Sequence, residues 1–316
     1  MLTRLAPILG ALIIAATTTV AHAQFSVVAT TGMIADTARE IGGDHVEVRA
    51  LMGPGVDPHA YRQTRSDIVA MTRADLVLRH GLFLEAQMEE VFADLGRSRT
   101  VVAVAEAMPR NLLLSHDDYE NRFDPHIWIV PDLWRHAVIE IRDALSAADP
   151  ANADAYRANA ETFSAELETL SDYATRALAT VPAPQRVLLT AHDAFNYFGQ
   201  VYGFEVLGIQ GISTESEAGL VRISEMVDLL VDRNIAAVFV ESSVSDRNIR
   251  ALIEGAAARG HDVQIGGQLY SDAMGDTGSY EGTYLGMIDH NVTVITRALG
   301  GEAPERGMAG QLSAGM

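Results

Sequence analysis

The sequence predicts an α/β protein made of two βα lobes with mainly parallel sheets, which one long rigid helix joins. Short apolar, β-branched runs alternate with helical patterns in both halves of the chain, and this alternation is typical of βαβ units around a parallel sheet. The stretch at 152–180 separates the two halves, is rich in Ala, Glu and Leu, and contains neither Gly nor Pro. As a helix it would be about 40 Å long, and we interpret it as the link between the lobes.

Apolar and β-branched runs define the predicted strands, and apolar residues at helical spacing define the predicted helices. In the first half these are strand 26–31, helix 33–41, strand 45–51, helix 66–73, strand 75–79, helix 84–95, strand 100–105 and helix 132–147. Ser66 is expected to cap its helix, and Pro182 and Pro184 follow the end of the long helix. The second half continues with strand 186–190, helix 194–202, strand 205–209, helix 221–232, strand 236–240, helix 246–258, strand 263–265 and helix 281–299.

The predicted domain organisation starts with a secretory signal peptide, which Arg4, an apolar run at 8–16 and a small-x-small site before Gln24 indicate. The predicted units are a signal peptide at 1–23, an N-terminal metal-binding lobe at 24–150, the linking helix at 151–181, a C-terminal metal-binding lobe at 182–301 and a flexible tail at 302–316. The chain contains no Cys, which excludes disulfides, thiolate metal ligands and a lipid on an N-terminal Cys. We therefore expect a soluble protein exported to a Gram-negative periplasm.

The net charge of −19 at pH 7 bears on the class of partner. A strongly acidic chain is a poor partner for nucleic acid or anionic lipid and is compatible with a cationic ligand. Acidity also keeps an exported protein soluble, so charge alone leaves the ligand open.

One tripeptide occurs twice, as Asp57-Pro58-His59 and Asp124-Pro125-His126. The 10 Pro and 10 His residues would by chance give roughly 0.3 Pro-His steps in a chain of this length, so the repetition is informative. Proline restricts its own backbone and that of the preceding residue, and each histidine therefore leaves a stiff loop. The aspartate can accept an N–H from a backbone group or an imidazole, as partners of metal ligands do. The pair predicts half of a metal site.

His192 and Asp272 are candidates for the other half, because each follows a predicted strand. Open α/β sheets bind ligands at the carboxyl ends of their strands, so loops from two lobes can meet across a cleft. Three imidazoles and one carboxylate suit Zn²⁺ or Mn²⁺. On pattern alone, a turn or cap role for Asp272 stays open. Structural roles are assigned to the remaining histidines of the mature chain, which are His45, His80, His116, His136, His261 and His290.

Four stretches resemble the cluster A-I zinc- and manganese-binding solute-binding proteins of ABC transporters, in particular the TroA-like branch. They are GPGVDPHAYRQTRSDI at 53–68, FDPHIWIVP at 123–131, TAHDAFNYFGQVYGFEVLGIQGISTESEAG at 190–219 and IGGQLYSDAMGDTGSYEGTYLGMIDHN at 265–291. The resemblance implies a metal site between two lobes joined by a rigid helix. Its ligands are implied to be His59, His126, His192 and Asp272.

The resemblance further implies a monomeric, non-enzymatic protein that binds Zn²⁺ or Mn²⁺ as transported ligand. It would deliver the ion to a cognate ABC permease in the inner membrane. Many zinc-specific members carry a long His/Asp-rich loop, of which this chain has only a stub at 116–120. A histidine at 192, where dedicated manganese members often have Glu, favours zinc or mixed use instead. The sequence therefore leaves the choice between the two metals open.

Two other classes of protein compete with this prediction. A zinc hydrolase also uses three histidines and a carboxylate, but it needs an open coordination position and a general base. The chain has no H-E-x-x-H motif, and for Glu241 we favour a buried supporting or capping role over that of base. An adhesin-like surface protein has no support in the sequence. Trp128 and Trp134 are interpreted as core residues that hold the loop of His126.

Overall fold

Two regions of parallel β-sheet, separated by a long helix, organise the computed structural model, which describes residues 24–115 and 122–313. The predicted signal peptide and the stub at 116–120 lie outside the described residues. No helix among those that the structure describes combines the length and apolarity needed to cross a membrane.

The N-terminal lobe contains one sheet of four parallel strands in the order β2-β1-β3-β4. Its strands are β1 (Phe25–Ala29), β2 (Val46–Ala50), β3 (Leu76–Arg79) and β4 (Val101–Ala103). Its helices are α1 (Gly32–Gly42), α2 (Arg65–Arg73), α3 (Glu89–Leu95) and α4 (Pro131–Ala148). The middle strands are buried, as expected for a parallel sheet covered on both faces.

Helix α2 begins one residue earlier than predicted. The hydroxyl of Thr64 accepts the N–H of Asp67, and the Asp67 carboxylate accepts the N–H of Thr64 at 2.8 Å. This reciprocal pair is a capping box. The expected cap, Ser66, lies inside the first turn, so that prediction was wrong.

Helix α5 (Ala153–Ala179) has 27 residues and a length of about 40 Å. It packs against α1 and α4 of the N-terminal lobe and against a helix of the C-terminal lobe, α9 (Tyr284–Ala298). Buried Phe163, Leu167 and Leu170 belong to a core shared with both lobes. The long helix is therefore clamped along its length by both lobes, as a rigid link requires.

The C-terminal lobe has two parallel strand pairs that lie side by side through β5 and β7. Its strands are β5 (Val187–Thr190), β6 (Glu205–Gly208), β7 (Ala237–Glu241) and β8 (Gln264–Leu269), and its other helices are α6 (Asn196–Tyr202), α7 (Leu220–Asp232) and α8 (Arg247–Ala257). Strand β8 extends beyond the predicted 263–265 and continues its pairing with β7 through Gly266 and Gly267. Glycine weakens a strand pattern, but both positions face crowded neighbours that leave no room for a side chain. A Cβ on Gly267 would come within 2.5 Å of Val294.

The described part of the tail, 302–313, contacts the C-terminal lobe at several points. The backbone N–H of Met308 donates to Asp289 at 2.8 Å, and that of Ser313 donates to Glu281 at 2.6 Å. The side chain of Leu312 is fully buried. Carboxylates of the C-terminal lobe thus satisfy the backbone of a segment whose composition alone suggested disorder.

Candidate metal centre

The four predicted site residues all lie in loops that follow parallel strands. His59 lies between β2 and α2, His126 between β4 and α4, His192 directly after β5, and Asp272 after β8. Each lobe contributes two of them, at the edge where α/β sheets bind ligands. The structure brings all four together, with one donor atom from each within 4.8 Å of the others.

Several distances between the donor atoms are close to the edge length of a coordination tetrahedron, while Nε2 of His59 lies 3.8 Å from Oδ2 of Asp272. The Nε2 atoms of His59 and His126 are 3.3 Å apart, and Nε2 of His192 lies 3.2 Å from Oδ2 of Asp272. Nε2 of His126 lies 3.5 Å from the other oxygen, Oδ1. A tetrahedral Zn²⁺ site with bonds of about 2.0–2.1 Å has edges of about 3.3 Å. The four side chains are buried, each at most 3% exposed, so the space between them is shielded from bulk solvent.

The Asp272 carboxylate is the negative charge of the cluster. Burial favours its neutral form, but the imidazoles of His192 and His126 outweigh burial and hold the pKa of Asp272 well below its usual range. Neither oxygen accepts a well-oriented hydrogen bond from the residues that the structure describes. A buried anion in that position needs a cation.

The second Asp-Pro-His motif orients its own imidazole. Asp124 Oδ1 accepts the backbone N–H of His126 at 2.9 Å and lies 2.7 Å from its Nδ1, while Oδ2 accepts an N–H of Asn196 at 3.1 Å. This contact places the proton on Nδ1 and leaves Nε2 for a metal. Burial lowers the pKa of His126, but the Asp124 carboxylate more than offsets burial and raises it to about 9.

The first motif holds its histidine through the backbone. Asp57 Oδ1 accepts the N–H of His59 at 2.8 Å, and Oδ2 accepts the hydroxyl of Thr214, from the other lobe, at 2.5 Å. Burial lowers the pKa of His59 to about 3, so its imidazole stays neutral. Both aspartates therefore accept the N–H contacts predicted for them, although only Asp124 contacts an imidazole.

Glu241, at the end of β7, supports His192. Its Oε1 accepts the backbone N–H of His192 at 2.9 Å, and its Oε2 lies 2.5 Å from the imidazole Nδ1. Burial lowers the pKa of His192, but the carboxylates of Asp272 and Glu241 outweigh burial and raise it well above the ordinary value. Glu241 thus has the buried supporting role predicted for it.

His80, for which only a structural role was predicted, supports the loop that carries His126. Its Nε2 lies 2.7 Å from the carbonyl oxygen of Pro125, and its ring stacks on Trp134. Glu85 accepts the N–H of His80 at 2.7 Å. Trp128 donates its indole N–H to the carbonyl of Ser271, next to Asp272, at 2.6 Å. The signal that could have singled out His80 is its position directly after β3, equivalent to that of the site residues.

The remaining described histidines lie outside the cluster. His261 and His290 contact backbone carbonyls of Ile235 and Gln268 through Nε2, and His45 packs against Tyr156. Trp128 and Trp134 are fully buried, which confirms their predicted place in the core. His116 lies outside the described residues.

Two βα lobes, a clamped linking helix and a buried set of three imidazoles and one carboxylate between the lobes define a metal-binding solute-binding protein. Residues 27–298 match the family described as "Zinc-uptake complex component A periplasmic", and the chain belongs to that family. The resemblance seen in the sequence is confirmed.

Two relatives with known names cover most of the chain. "Manganese-binding lipoprotein MntA" of Bacillus subtilis (strain 168) is 51% identical over 279 residues, which are 88% of this chain and 91% of that protein. "Zinc-binding protein TroA" of Treponema pallidum (strain Nichols) is 45% identical over 273 residues, which are 86% of this chain and 88% of that protein. The solved structure of the periplasmic zinc-binding protein TroA from Treponema pallidum superimposes with a TM-score of 0.85 at 44% identity, covering 88% of this chain and 99% of that one.

Proposed function

We propose that this protein captures a divalent transition metal, Zn²⁺ or Mn²⁺, and delivers it to an ABC-transporter permease for import. His59, His126, His192 and Asp272 are the ligands. The observation that carries the proposal is the convergence of four buried donor groups, with one atom of each within 4.8 Å of the others, a spacing that one metal ion can bridge. The names of relatives that bind manganese and zinc support it.

The ion acts as a bridge between the lobes. His59 and His126 approach it from the N-terminal lobe, and His192 and Asp272 approach it from the C-terminal lobe. A bound ion therefore stabilises the closed arrangement, and its release requires the two pairs of ligands to separate. Because α5 packs on both lobes, the movement that separates them is a small tilt about the helix.

No bond chemistry is needed for this role, and the site is poorly arranged for it. A catalytic zinc site keeps one position open for water and uses a nearby general base. Four protein donors complete a tetrahedron, and the one buried carboxylate behind His192, that of Glu241, is engaged by the imidazole. We therefore propose a binding protein and not a hydrolase.

The site accommodates either metal through Asp272. One carboxylate oxygen completes a tetrahedron for Zn²⁺, while both oxygens give Mn²⁺ the additional oxygen ligand that it prefers. The two oxygens face different imidazoles, Oδ1 toward His126 and Oδ2 toward His192, so both are directed into the site. Nitrogen-rich sites bind Zn²⁺ more tightly than Mn²⁺, and cellular supply then decides which ion is carried.

The domain organisation proposed from the sequence accords with this role. The signal peptide at 1–23 directs the chain to the periplasm, where it acts as a monomer. The lobes at 24–150 and 182–301 each carry two ligands, and the linking helix lies between them. Because the described part of the tail packs on the C-terminal lobe, we assign it to that lobe.

A competition titration on the metal-free protein (residues 24–316) tests the proposal. We expect tight Zn²⁺ binding, weaker Mn²⁺ binding, and a narrower gap between them in His192→Glu. His59→Ala should weaken Zn²⁺ binding by more than about 100-fold, because loss of a ligand exceeds the 10- to 100-fold effect of losing a ligand's partner. His45→Gln, an exposed histidine outside the cluster, is the matched control. Binding of neither ion would refute the proposal, and hydrolysis of esters or peptides would refute its non-enzymatic part.

A further inference from the structure

Four residues of the C-terminal lobe, Ile212, Ser213, Thr214 and Glu215, cross the cleft to the loop of His59; we call them the latch segment. They lie between β6 and α7. Two side-chain hydrogen bonds join them to the N-terminal lobe: the hydroxyl of Thr214 donates to Asp57 Oδ2 at 2.5 Å, and Gln87 donates to Glu215. Within the described residues, no backbone–backbone hydrogen bond joins this segment to the N-terminal lobe. Among the described residues, its hydrogen bonds to the N-terminal lobe are therefore made by side chains.

Two residues of the latch segment line a cavity of about 40 Å³ that opens to the surface and borders His59. Ile212 and Ser213 line it from the C-terminal lobe, Leu82 and Phe83 line it from the N-terminal lobe, and His59 is the proposed ligand in its lining. Such a volume holds a few water molecules at most. A hydrated ion that reaches or leaves His59 by this route must therefore widen the cavity.

The backbone of Leu82 and Phe83 is held firmly in place. Both have positive φ angles, 53° and 64°, which non-glycine residues adopt only where the surroundings enforce them. The preceding residues are anchored, because buried Glu85 accepts the backbone N–H groups of His80 and Gly81. The latch segment has no backbone hydrogen bond of this kind to the N-terminal lobe within the described residues, so we infer that it is the side that moves.

The two Asp-Pro-His motifs differ at this point. The Asp124 carboxylate accepts the backbone N–H of His126 and lies beside its ring through Oδ1. Its Oδ2 accepts an N–H of Asn196, which belongs to the C-terminal lobe, as His192 does. Asp57 uses Oδ1 for the backbone of His59 and gives Oδ2 to the latch segment. The Asp57 carboxylate thus connects the latch segment to His59, the proposed ligand beside the cavity.

We propose that Thr214 is a positioning residue whose hydrogen bond to Asp57 keeps the latch segment closed over the bound ion and sets the rate at which the ion leaves. The proposal rests on the proposed function, since it concerns exchange at the same metal site. Thr214 contacts no metal ligand atom in this arrangement and acts through Asp57. Loss of its hydroxyl should speed both binding and release of the ion while the ligand set stays the same.

Stopped-flow release of Co²⁺ into excess EDTA from the loaded protein (residues 24–316) tests this, because the visible absorption of Co²⁺ reports its coordination as well as its loss. Thr214→Val keeps the shape of the side chain and removes the hydroxyl. Hydrogen bonds to charged groups are among the stronger ones, so we expect the release rate to rise by about tenfold or more. Thr214→Ser should restore slow release. Thr169→Val, which removes an exposed hydroxyl on α5, should release Co²⁺ like the unaltered protein.

Release from Thr214→Val within twofold of the unaltered protein would overturn the proposal. So would an altered Co²⁺ absorption spectrum, since the substitution would then act on the ligands themselves. An equal acceleration in Thr169→Val would also overturn it. Failure of the unaltered protein to bind Co²⁺, Zn²⁺ or Mn²⁺ is a different result, which refutes the proposed function and not the latch alone.

Discussion

Metal binding at neutral pH should release protons, and removing the Asp124 carboxylate should reduce the number released. Asp124 raises the pKa of His126 to about 9, so at pH 7 this imidazole is protonated in about 99% of metal-free molecules. The ion must displace that proton, so binding at pH 7 is weaker than it would be to an imidazole that is already neutral. His192, whose pKa also lies well above the ordinary value, contributes a second proton, whereas His59, with a pKa of about 3, contributes none.

The expected result for the unaltered protein is about two protons released per Zn²⁺ at pH 7, with affinity rising by up to about 100-fold per pH unit between pH 6 and 8. In Asp124→Asn the pKa of His126 falls, so we expect about one proton and about a tenfold rise per pH unit. Titration calorimetry in buffers of different ionisation enthalpy counts the protons. His45→Gln should behave like the unaltered protein.

The metal-free protein should respond to pH in the opposite direction. Because the folded pKa of His126 is raised, its protonated form stabilises the metal-free fold fully below the unfolded pKa of about 6.5. That stabilisation is lost as the pH rises through about 9.

Two outcomes would refute the prediction of proton release. They are an affinity for Zn²⁺ that does not change between pH 6 and 8, and equal proton release from Asp124→Asn and the unaltered protein.

Two further predictions concern the supports of the site and the fold. Glu241→Gln should weaken Zn²⁺ binding by about 10- to 100-fold, because an amide N–H facing Nδ1 would move the ring proton of His192 to Nε2, the proposed metal ligand. A competition titration with a chromophoric chelator measures the affinity for Zn²⁺, and an unchanged affinity would contradict the prediction. Deletion of residues 303–316 should lower the free energy of unfolding by about 3 kcal/mol, because it removes buried Leu312 and the N–H of Met308 from Asp289. Urea unfolding followed by circular dichroism checks this, and an unchanged midpoint would show that the tail contributes nothing.

Local sequence patterns predicted the order and approximate bounds of the strands and helices. Alternating runs located the strands and helices to within a few residues, and the Gly- and Pro-free stretch located α5. The largest error in a strand came at Gly266 and Gly267, where crowding by Phe239 and Val294, invisible in the chain itself, decides the residue type. The contacts of the tail were invisible for the same reason, since its acceptor Asp289 belongs to α9.

The candidate site was predictable as a set of residues but not as a network. A repeated tripeptide singled out His59 and His126, and strand ends singled out His192 and Asp272. Nothing in two identical tripeptides distinguishes Asp57 from Asp124, because their different partners, Thr214 and Asn196, come from the distant C-terminal half. An imidazole with an ordinary pKa of about 6.5 loses its metal as the pH falls through that value. The buried carboxylate beside His126 moves that pH upward.

The supports of the histidines differ, and we expect them to affect two different properties of the site, the affinity for the ion and the rate of its exchange. The rings of His126 and His192 are each oriented by a carboxylate on their own lobe, Asp124 and Glu241. Little side-chain entropy is therefore lost when they bind an ion, which favours tight binding. His59 is held through its backbone, beside the cavity that opens to the surface, by an aspartate that also holds the latch segment. A perturbation at Asp124 or Glu241 should therefore change mainly how tightly the ion is held, while one at Thr214 should change mainly how fast it leaves.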